Sequence, residues 1–95
     1  IYCDLNNSIK KTDVINLFKD LQKVNPFIKY IDNDEILDFF SIQNSNYCKI
    51  KIFDHYSEDK LIIVSAIDNL IKGAAGQAVQ CFNISENIEE TVSLV

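Results

Sequence analysis

Apolar residues recur along the chain at spacings that predict two helices and four strands. Residues 1–5 alternate loosely between apolar and polar, as in a strand, and the sequence NNS after them favours a turn. The next stretch has the i, i+3, i+4 and i+7 spacing of an amphipathic helix, with an apolar stripe made of Val14, Leu17, Phe18 and Leu21. We expect Ser8 or Thr12 to cap this helix, and Asn25, which precedes Pro26, to end it.

The middle of the chain predicts three more strands. The segment FIKYI is a short apolar strand followed by the acidic turn DNDE. YCKIKIFDHY alternates lysines with isoleucines, the period of a half-exposed strand, whereas LIIVSAI is apolar throughout and predicts a strand buried on both faces. The loop SEDK between these two segments predicts a hairpin in the middle of the sheet. The expected fold class is α+β, with helices packed on a mixed sheet in a single domain over residues 1–95.

The second predicted helix, residues 69–82, contains the only two glycines of the chain. Glycine inside a helix is about 0.5–1 kcal/mol less favourable than alanine, so two of them suggest a purpose. A rotation of 100° per residue places the apolar side chains on one face, expected to pack on the core: Ile71, Ala74, Ala75, Ala78, Val79, Cys81 and Phe82. The opposite, polar face consists of Lys72, Gly73, Gly76, Gln77 and Gln80.

Two interpretations of the glycines remain open at this point. Either a ligand or another domain lies against the polar face, where Cβ atoms would block it, or the pair is tolerated at a loosely wound helix start. Asp68 is suited to cap the helix, but its charge disfavours a phosphate there. The amide of Asn69 both donates and accepts hydrogen bonds, so it suits a neutral polar group. The spacing Gly73-x-x-Gly76 is not the GxGxxG of a phosphate-binding loop.

Composition narrows the classes of partner. The net charge of −5 provides no basic patch, which argues against nucleic acid or an anionic membrane. No apolar run reaches the roughly 18 residues of a membrane span. The chain begins without Met and apparently within a strand, so we expect a piece of a longer protein.

The residues with reactive side chains predict no metal site and no catalytic group within this chain. Cys3, Cys48 and Cys81 are an odd number without CxxC spacing, which favours free thiols in a reducing compartment. We expect all three to be buried and unreactive, because a free cysteine usually behaves as a small apolar residue. His55, the single histidine, is expected at the surface beside a turn.

Three segments resemble a known enzyme family over nearly the whole chain. SAIDNLIKGAAGQAVQ, residues 65–80, resembles the C-terminal signature of the N-acetyl-gamma-glutamyl-phosphate reductases. NSNYCKI, residues 44–50, is similar to that family's Gly-Ser-Asn-Phe-Cys-Asp-Ile segment, and NPFIKYI, residues 25–31, to its Pro-Phe-Val segment. Two positions depart from the family: Asn44 stands in place of a glycine, and Cys81 in place of an asparagine.

The resemblance implies a two-domain, dehydrogenase-type enzyme related to glyceraldehyde-3-phosphate dehydrogenase. This chain would be a C-terminal fragment of its catalytic and dimerisation domain, without the dinucleotide-binding domain. The implied reaction is NADPH-dependent reduction of an acyl phosphate to an aldehyde, through a cysteine thioester, in arginine biosynthesis. The family's nucleophile motif Asn-Pro-Gly-Cys-Tyr and its histidine motif His-Arg-His-x-Pro-Glu are absent, so the 95 residues alone are not expected to be active.

The resemblance also implies where a cofactor and a substrate would lie. Asn69 matches an asparagine beside the nicotinamide, and Gly73 lies on the helix that meets the NADP(H)-binding domain. Lys72 is either a surface lysine or a contact to cofactor phosphate. Ser45 and Asn46 form either a local turn or part of the substrate cleft. The implied partners are the missing N-terminal domain and a second copy, in the cytoplasm or in an organelle of a eukaryote.

Two other functions remain open. The chain could belong to a related reductase that acts on another acyl phosphate, such as an aspartate-semialdehyde or aminoadipate-pathway enzyme. It could also be a stand-alone binding module that has lost the catalytic half and keeps only an interaction surface.

Overall fold

The computed structural model describes residues 1–95 and contains one mixed four-stranded sheet with two helices. The elements are β1 (Tyr2–Asp4), α1 (Lys11–Val24), β2 (Ile28–Tyr30), β3 (Cys48–Asp54), β4 (Lys60–Ile67) and α2 (Gly76–Ser85), the last preceded by a π-helical turn (Ile71–Ala75). The strand order is β1-β4-β3-β2. β4 runs antiparallel to both of its neighbours, whereas β2 is parallel to β3. The predicted α+β class and the central hairpin are both confirmed.

The first helix has the predicted apolar stripe but a different cap. It begins at Lys11, so Ser8 lies three residues before it and Thr12 lies inside its first turn. The Asp13 carboxylate instead accepts a hydrogen bond from the Lys10 backbone N–H at 2.8 Å. A carboxylate in the first turn also interacts favourably with the helix dipole. The prediction of a Ser8 or Thr12 cap was therefore wrong.

The core lies between α1 and one face of the sheet. Tyr30, Ile52 and Leu61 are buried at its centre, and the surrounding side chains are Cys3, Leu5, Val14, Ile15, Phe18 and Ile63. Ile52 pairs with Ile63 across the hairpin, which places both side chains on this face. Burying one such aliphatic side chain contributes about 1.5–3 kcal/mol.

The opposite face of the sheet is not covered by a helix, although Lys51, which lies on it opposite Val64, is buried and donates to the Asn33 carbonyl at 3.4 Å. Phe53 pairs with Ile62, and Ile62 pairs in turn with Tyr2, so these side chains share that face with Val64. Tyr2, Phe53 and Val64 are all exposed. We call this set, Tyr2, Phe53, Ile62 and Val64, the open sheet face. β4 is thus buried on one face only, and the prediction from its continuous apolar run was wrong because no element of these 95 residues covers the second face.

The faces of the second helix differ from those predicted. Its buried residues are Gly76 and Gln80, both expected on the open polar face, and Asn83, which lies beyond the predicted helix end. Gly73 and Gln77 are exposed, as predicted. Ala74, Ala78, Cys81 and Phe82, expected in the core, are exposed, and we call them the outer face of α2. Among the cysteines, Cys81 is therefore not buried, while Cys3 and Cys48 are half-buried free thiols. Burial raises the pKa of the Cys48 thiol, in line with an unreactive cysteine.

Candidate functional site

The start of the second helix is held by Asp68. Its Oδ1 accepts hydrogen bonds from the N–H groups of Leu70 at 2.8 Å and Ile71 at 3.1 Å, and its Oδ2 accepts one from the N–H of Asn44 at 2.7 Å. The hydrogen bonds from Asn44 and Leu70 hold the pKa of the Asp68 carboxyl below its ordinary value. The predicted capping role of Asp68 is confirmed, and the same carboxylate fixes the loop before β3 against the helix.

The first turn after Asp68 is wider than an α-helix. The N–H of Gly73 donates to the Asp68 carbonyl at 3.0 Å, and the N–H of Ala75 donates to the Leu70 carbonyl at 3.2 Å. Both bonds span five residues, the π-helical pattern that is rare and often marks a functional site. The loosely wound helix start is thus real, although it does not account for both glycines.

Asn69 stands at this turn with its side-chain amide free. It is exposed and makes no side-chain hydrogen bond within the chain. A Cβ on Gly73 would lie 3.1 Å from the Asn69 Oδ1, so the glycine leaves the amide room to turn. A groove of about 270 Å³ next to it is lined by Phe39, Ile42, Gln43, Ile67, Asp68, Asn69 and Leu70. An unpaired donor and acceptor beside an apolar groove can bind a planar polar group such as an amide.

Gly76 has a different role from the one predicted. It is buried, and a Cβ there would collide with the Oδ1 of Asn46 and would lie 2.8 Å from Ile71 Cγ2. The glycine therefore allows Asn46 to approach the helix, and no ligand is needed to explain it. The prediction that neither glycine serves packing within this domain was wrong for Gly76.

Asn46 joins the loop before β3 to the buried face of α2. It is 1% exposed, and its Nδ2 donates a hydrogen bond to Gln80 Oε1 at 2.9 Å. The same oxygen accepts a bond from Lys72 Nζ at 2.6 Å, and Gln80 Nε2 donates to Glu90 Oε1 at 2.5 Å. Lys72 and Asn46 were both predicted as site residues, from separate segments of the sequence. In the structure both donate hydrogen bonds to the side-chain oxygen of Gln80.

Asn46 Oδ1 has no hydrogen-bond partner, although it is fully buried. It lies against Gly76. The neighbouring Ser45 turns away and donates its hydroxyl to the carbonyl of Ile42 at 2.7 Å. The Ser45 side chain therefore stabilises the local turn, whereas the Asn46 side chain contacts the helix.

Asn44 has a backbone conformation that few residues adopt. Its φ of 59° is in the left-handed region, where glycine is favoured and asparagine is better tolerated than most residues. Asparagine at this position is therefore compatible with the departure from glycine noted above for residues 44–50. This conformation also points the Asn44 N–H at Asp68.

The sequence did not predict the roles of Asn83 and Gln80, which connect α2 to the C-terminal segment. Asn83 is buried, and its Nδ2 donates to the carbonyls of Glu90 at 3.2 Å and Val92 at 2.9 Å. Together with Gln80 it holds the C-terminal segment against α2. Gly76, Gln80 and Asn83 recur at the i, i+4 and i+7 spacing of one helix face, a signal that a search for apolar stripes alone overlooks.

The remaining predicted features are distributed elsewhere. His55 is half-buried, and its Nδ1 accepts a hydrogen bond from the Ser57 N–H at 3.0 Å. No three His, Cys, Asp or Glu side chains come close enough to hold a metal ion. None of the helices combines the length and the apolar character needed to cross a bilayer.

Comparison with known proteins gives a consistent family. Residues 1–69 match the model of the semialdehyde dehydrogenase dimerisation domain. The chain is 43% identical over 90 residues to an N-acetyl-gamma-glutamyl-phosphate reductase of Methanosphaera stadtmanae, covering 95% of this chain and 26% of that protein. Enzymes of the same name from Brachyspira hyodysenteriae and Staphylococcus saprophyticus are 41% and 37% identical, over 99% and 100% of this chain and 27% and 28% of their own lengths.

The chain therefore spans little more than a quarter of the relatives that it matches. The resemblance drawn from residues 25–31, 44–50 and 65–80 is confirmed by these matches, because they extend over almost all of the 95 residues. The chain belongs to the semialdehyde dehydrogenase family, as a dimerisation domain similar to that of the N-acetyl-gamma-glutamyl-phosphate reductases.

Proposed function

We propose that this chain is the C-terminal part of a two-domain reductase that converts N-acetyl-glutamyl phosphate to N-acetyl-glutamate semialdehyde with NADPH, in arginine biosynthesis. The observation that carries the proposal is the junction between residues 44–46 and residues 68–80. Asp68 and Gln80 hold the two segments that most resemble the reductases against each other. These hydrogen bonds make the position of each segment depend on the side chains of the other.

The side chain of Asn69 has the hydrogen-bonding groups to bind the nicotinamide ring of the cofactor. The free amide of Asn69 matches the carboxamide of a nicotinamide, which also both donates and accepts hydrogen bonds. The N–H groups of Leu70 and Ile71 are occupied by the Asp68 carboxylate, whose charge also disfavours a phosphate at that spot. The cofactor would supply the hydride, and its phosphates would be bound mainly by a dinucleotide-binding domain outside these residues.

Each of the predicted site residues has a role in the proposed enzyme. Asn69 orients the reactive ring, and Gly73 keeps the Asn69 amide unobstructed. Lys72 contributes a positive charge towards phosphate. Asn46 supports the substrate cleft by fixing the loop before β3 to α2 through Gln80. Ser45 stabilises the turn of that loop through its bond to the Ile42 carbonyl. The nucleophile and the general acid or base belong to the part of the enzyme outside this chain.

Two surfaces are proposed as contacts within the whole enzyme. The open sheet face carries exposed aromatic and aliphatic side chains, and residues 1–69, which match a dimerisation domain, contain all four strands. We assign this face to a second copy of the chain. The outer face of α2 is apolar and adjoins the Asn69 corner, so we assign it to the dinucleotide-binding domain. The location proposed is the cytoplasm, or an organelle in a eukaryote.

The assay that tests the function offers competing acyl phosphates to the full-length protein. N-acetyl-glutamyl phosphate, aspartyl phosphate and N-acetyl-aminoadipyl phosphate are supplied in turn, and NADPH oxidation is followed. We expect kcat/KM for N-acetyl-glutamyl phosphate to exceed that for N-acetyl-aminoadipyl phosphate by about 10- to 200-fold, the discrimination typical of one methylene, and that for aspartyl phosphate by more, because its acetamido group is missing. Preference for another acyl phosphate would assign the chain to a related reductase, and no turnover of any would favour a binding module.

A further inference from the structure

Gln80 has its whole side-chain amide engaged within the chain. Its Oε1 accepts hydrogen bonds from Lys72 Nζ and Asn46 Nδ2, and its Nε2 donates one to Glu90 Oε1. A lysine ammonium can only donate and an ionised carboxylate can only accept, so these two neighbours fix which way the amide points. Gln80 is also 8% exposed, and water cannot readily replace these partners.

The Lys72 ammonium is held by neutral groups. Besides Gln80 Oε1, its other close neighbour is the ring of Phe27, whose centroid is 5.4 Å from Nζ. Lys72 forms no salt bridge, in contrast to four lysines that each pair with an aspartate: Lys11, Lys19, Lys23 and Lys60. Neutral acceptors and an aromatic face immobilise a cation without cancelling its charge. The charge therefore remains available to an anion.

Lys72 is the only basic residue of this helix and of the chain after Lys60. Asp68 occupies the N–H groups of Leu70 and Ile71, two of those at the helix start that could otherwise bind a phosphate. Both ligands of the proposed reaction carry phosphoryl groups. We propose that Gln80 is a positioning residue, which holds the Lys72 ammonium where it meets a phosphoryl group of the cofactor or of the acyl phosphate. This inference rests on the proposed function.

The test uses the full-length reductase with Lys72→Met, Gln80→Met and the double variant. Gln77→Met is the matched control, because Gln77 lies on the same helix, is exposed and donates only to the Cys81 thiol. Steady-state kinetics with NADPH and with the acyl phosphate varied separately show which source of the phosphoryl group is bound. We expect both single variants to raise the KM of the same ligand about tenfold, with kcat changed less than twofold and the control unchanged. The double variant should be no worse than Lys72→Met alone.

Gln80→Glu combined with Glu90→Gln separates positioning from a structural role. The pair keeps an acceptor for Lys72 and Asn46, avoids two adjacent carboxylates at positions 80 and 90, and places a negative charge beside the ammonium. The same KM should therefore rise, with the melting temperature close to that of the wild type. A drop in melting temperature and kcat with both KM values unchanged would overturn the inference. So would a higher KM for Lys72→Met that Gln80→Met does not share, with the proposed function intact. If Lys72→Met and Asn69→Ala both leave the kinetics unchanged, the cofactor-side placement itself is wrong.

Discussion

Asn46 Oδ1 occupies the space in which a side chain at Gly76 would begin. Asn46 precedes β3 and Gly76 opens α2, so their contact joins two segments that are 30 residues apart in the sequence. The contact is possible only because one residue lacks a Cβ and the other ends in a compact amide. It explains a buried glycine on a helix face that carries mostly polar residues.

Gly76→Ala is predicted to destabilise the protein. Alanine alone favours a helix by about 0.5–1 kcal/mol, but the added methyl group would collide with Asn46 and press on Ile71, and overpacking of this kind costs about 1–3 kcal/mol. We expect the free energy of unfolding of the full-length protein to fall by about 1–2 kcal/mol in urea denaturation. Adding Asn46→Ala should recover part of the loss, because one of the two collisions disappears.

Gly73→Ala is the matched comparison on the same helix. The nearest atom to its added Cβ is the Oδ1 of the mobile Asn69 side chain, which can move away. Stability should therefore stay within about 0.5 kcal/mol or increase. Equal destabilisation by the two substitutions would contradict the assignment of Gly76 to the Asn46 contact.

Asp68 is predicted to make stability depend on acidic pH. Its folded-state pKa is lowered by N–H donors, so the unfolded chain binds the proton more tightly, with a pKa of about 3.9. The stabilisation is present above that value and is lost as the pH falls through the lowered pKa. The difference in unfolding free energy between the wild type and Asp68→Asn should shrink between pH 5 and the lowest pH at which the protein folds. A difference that stays constant or grows as the pH falls would contradict this role of the Asp68 carboxylate.

Val64→Lys is predicted to separate the proposed dimer. Val64 lies on the open sheet face directly opposite Lys51, so a second ammonium there would lose its hydration in the interface and face a like charge. We expect the dissociation constant from sedimentation velocity to rise at least tenfold. Val24→Lys, at the exposed end of α1, is the control and should leave it unchanged. An unaltered dimer in the Val64 variant would place the interface elsewhere.

Cys81 is predicted to be protected from alkylation in the full-length protein. The thiol is exposed in this chain, on the apolar outer face of α2 that we assign to the dinucleotide-binding domain. Iodoacetamide should modify it at least tenfold more slowly in the native enzyme than after unfolding in urea. Mass spectrometry of the peptide that contains Cys81 measures this directly. Rapid labelling of the native protein would mean that the outer face is free.

The sequence predicted the parts of the fold that depend on local spacing. The stripe of α1, the β3–β4 hairpin and the Asp68 cap each follow from residues within one or two turns or strands of each other. The Asn69 corner was found through resemblance, and the structure added the contacts that bring Asn46 and Lys72 to Gln80.

The faces of α2 and β4 could not be predicted, for two physical reasons. The burial of Gly76 depends on the approach of Asn46, a long-range contact that no helical periodicity contains. We attribute the apolar character of the outer face of α2 and of the open sheet face to the two partners proposed above, which would cover these faces in the whole enzyme. An apolar pattern in the sequence indicates that a helix or sheet face is buried, but it does not identify the partner that buries it.

The most direct test of the proposed function is the affinity of the full-length enzyme for NADPH after Asn69→Ala. Asn7→Ala, in an exposed turn far from this corner, is the control. If the free amide of Asn69 meets the nicotinamide, the dissociation constant or KM for NADPH should rise about tenfold and kcat should fall, with the melting temperature unchanged. Unchanged NADPH affinity and turnover would show that this helix start does not face the cofactor.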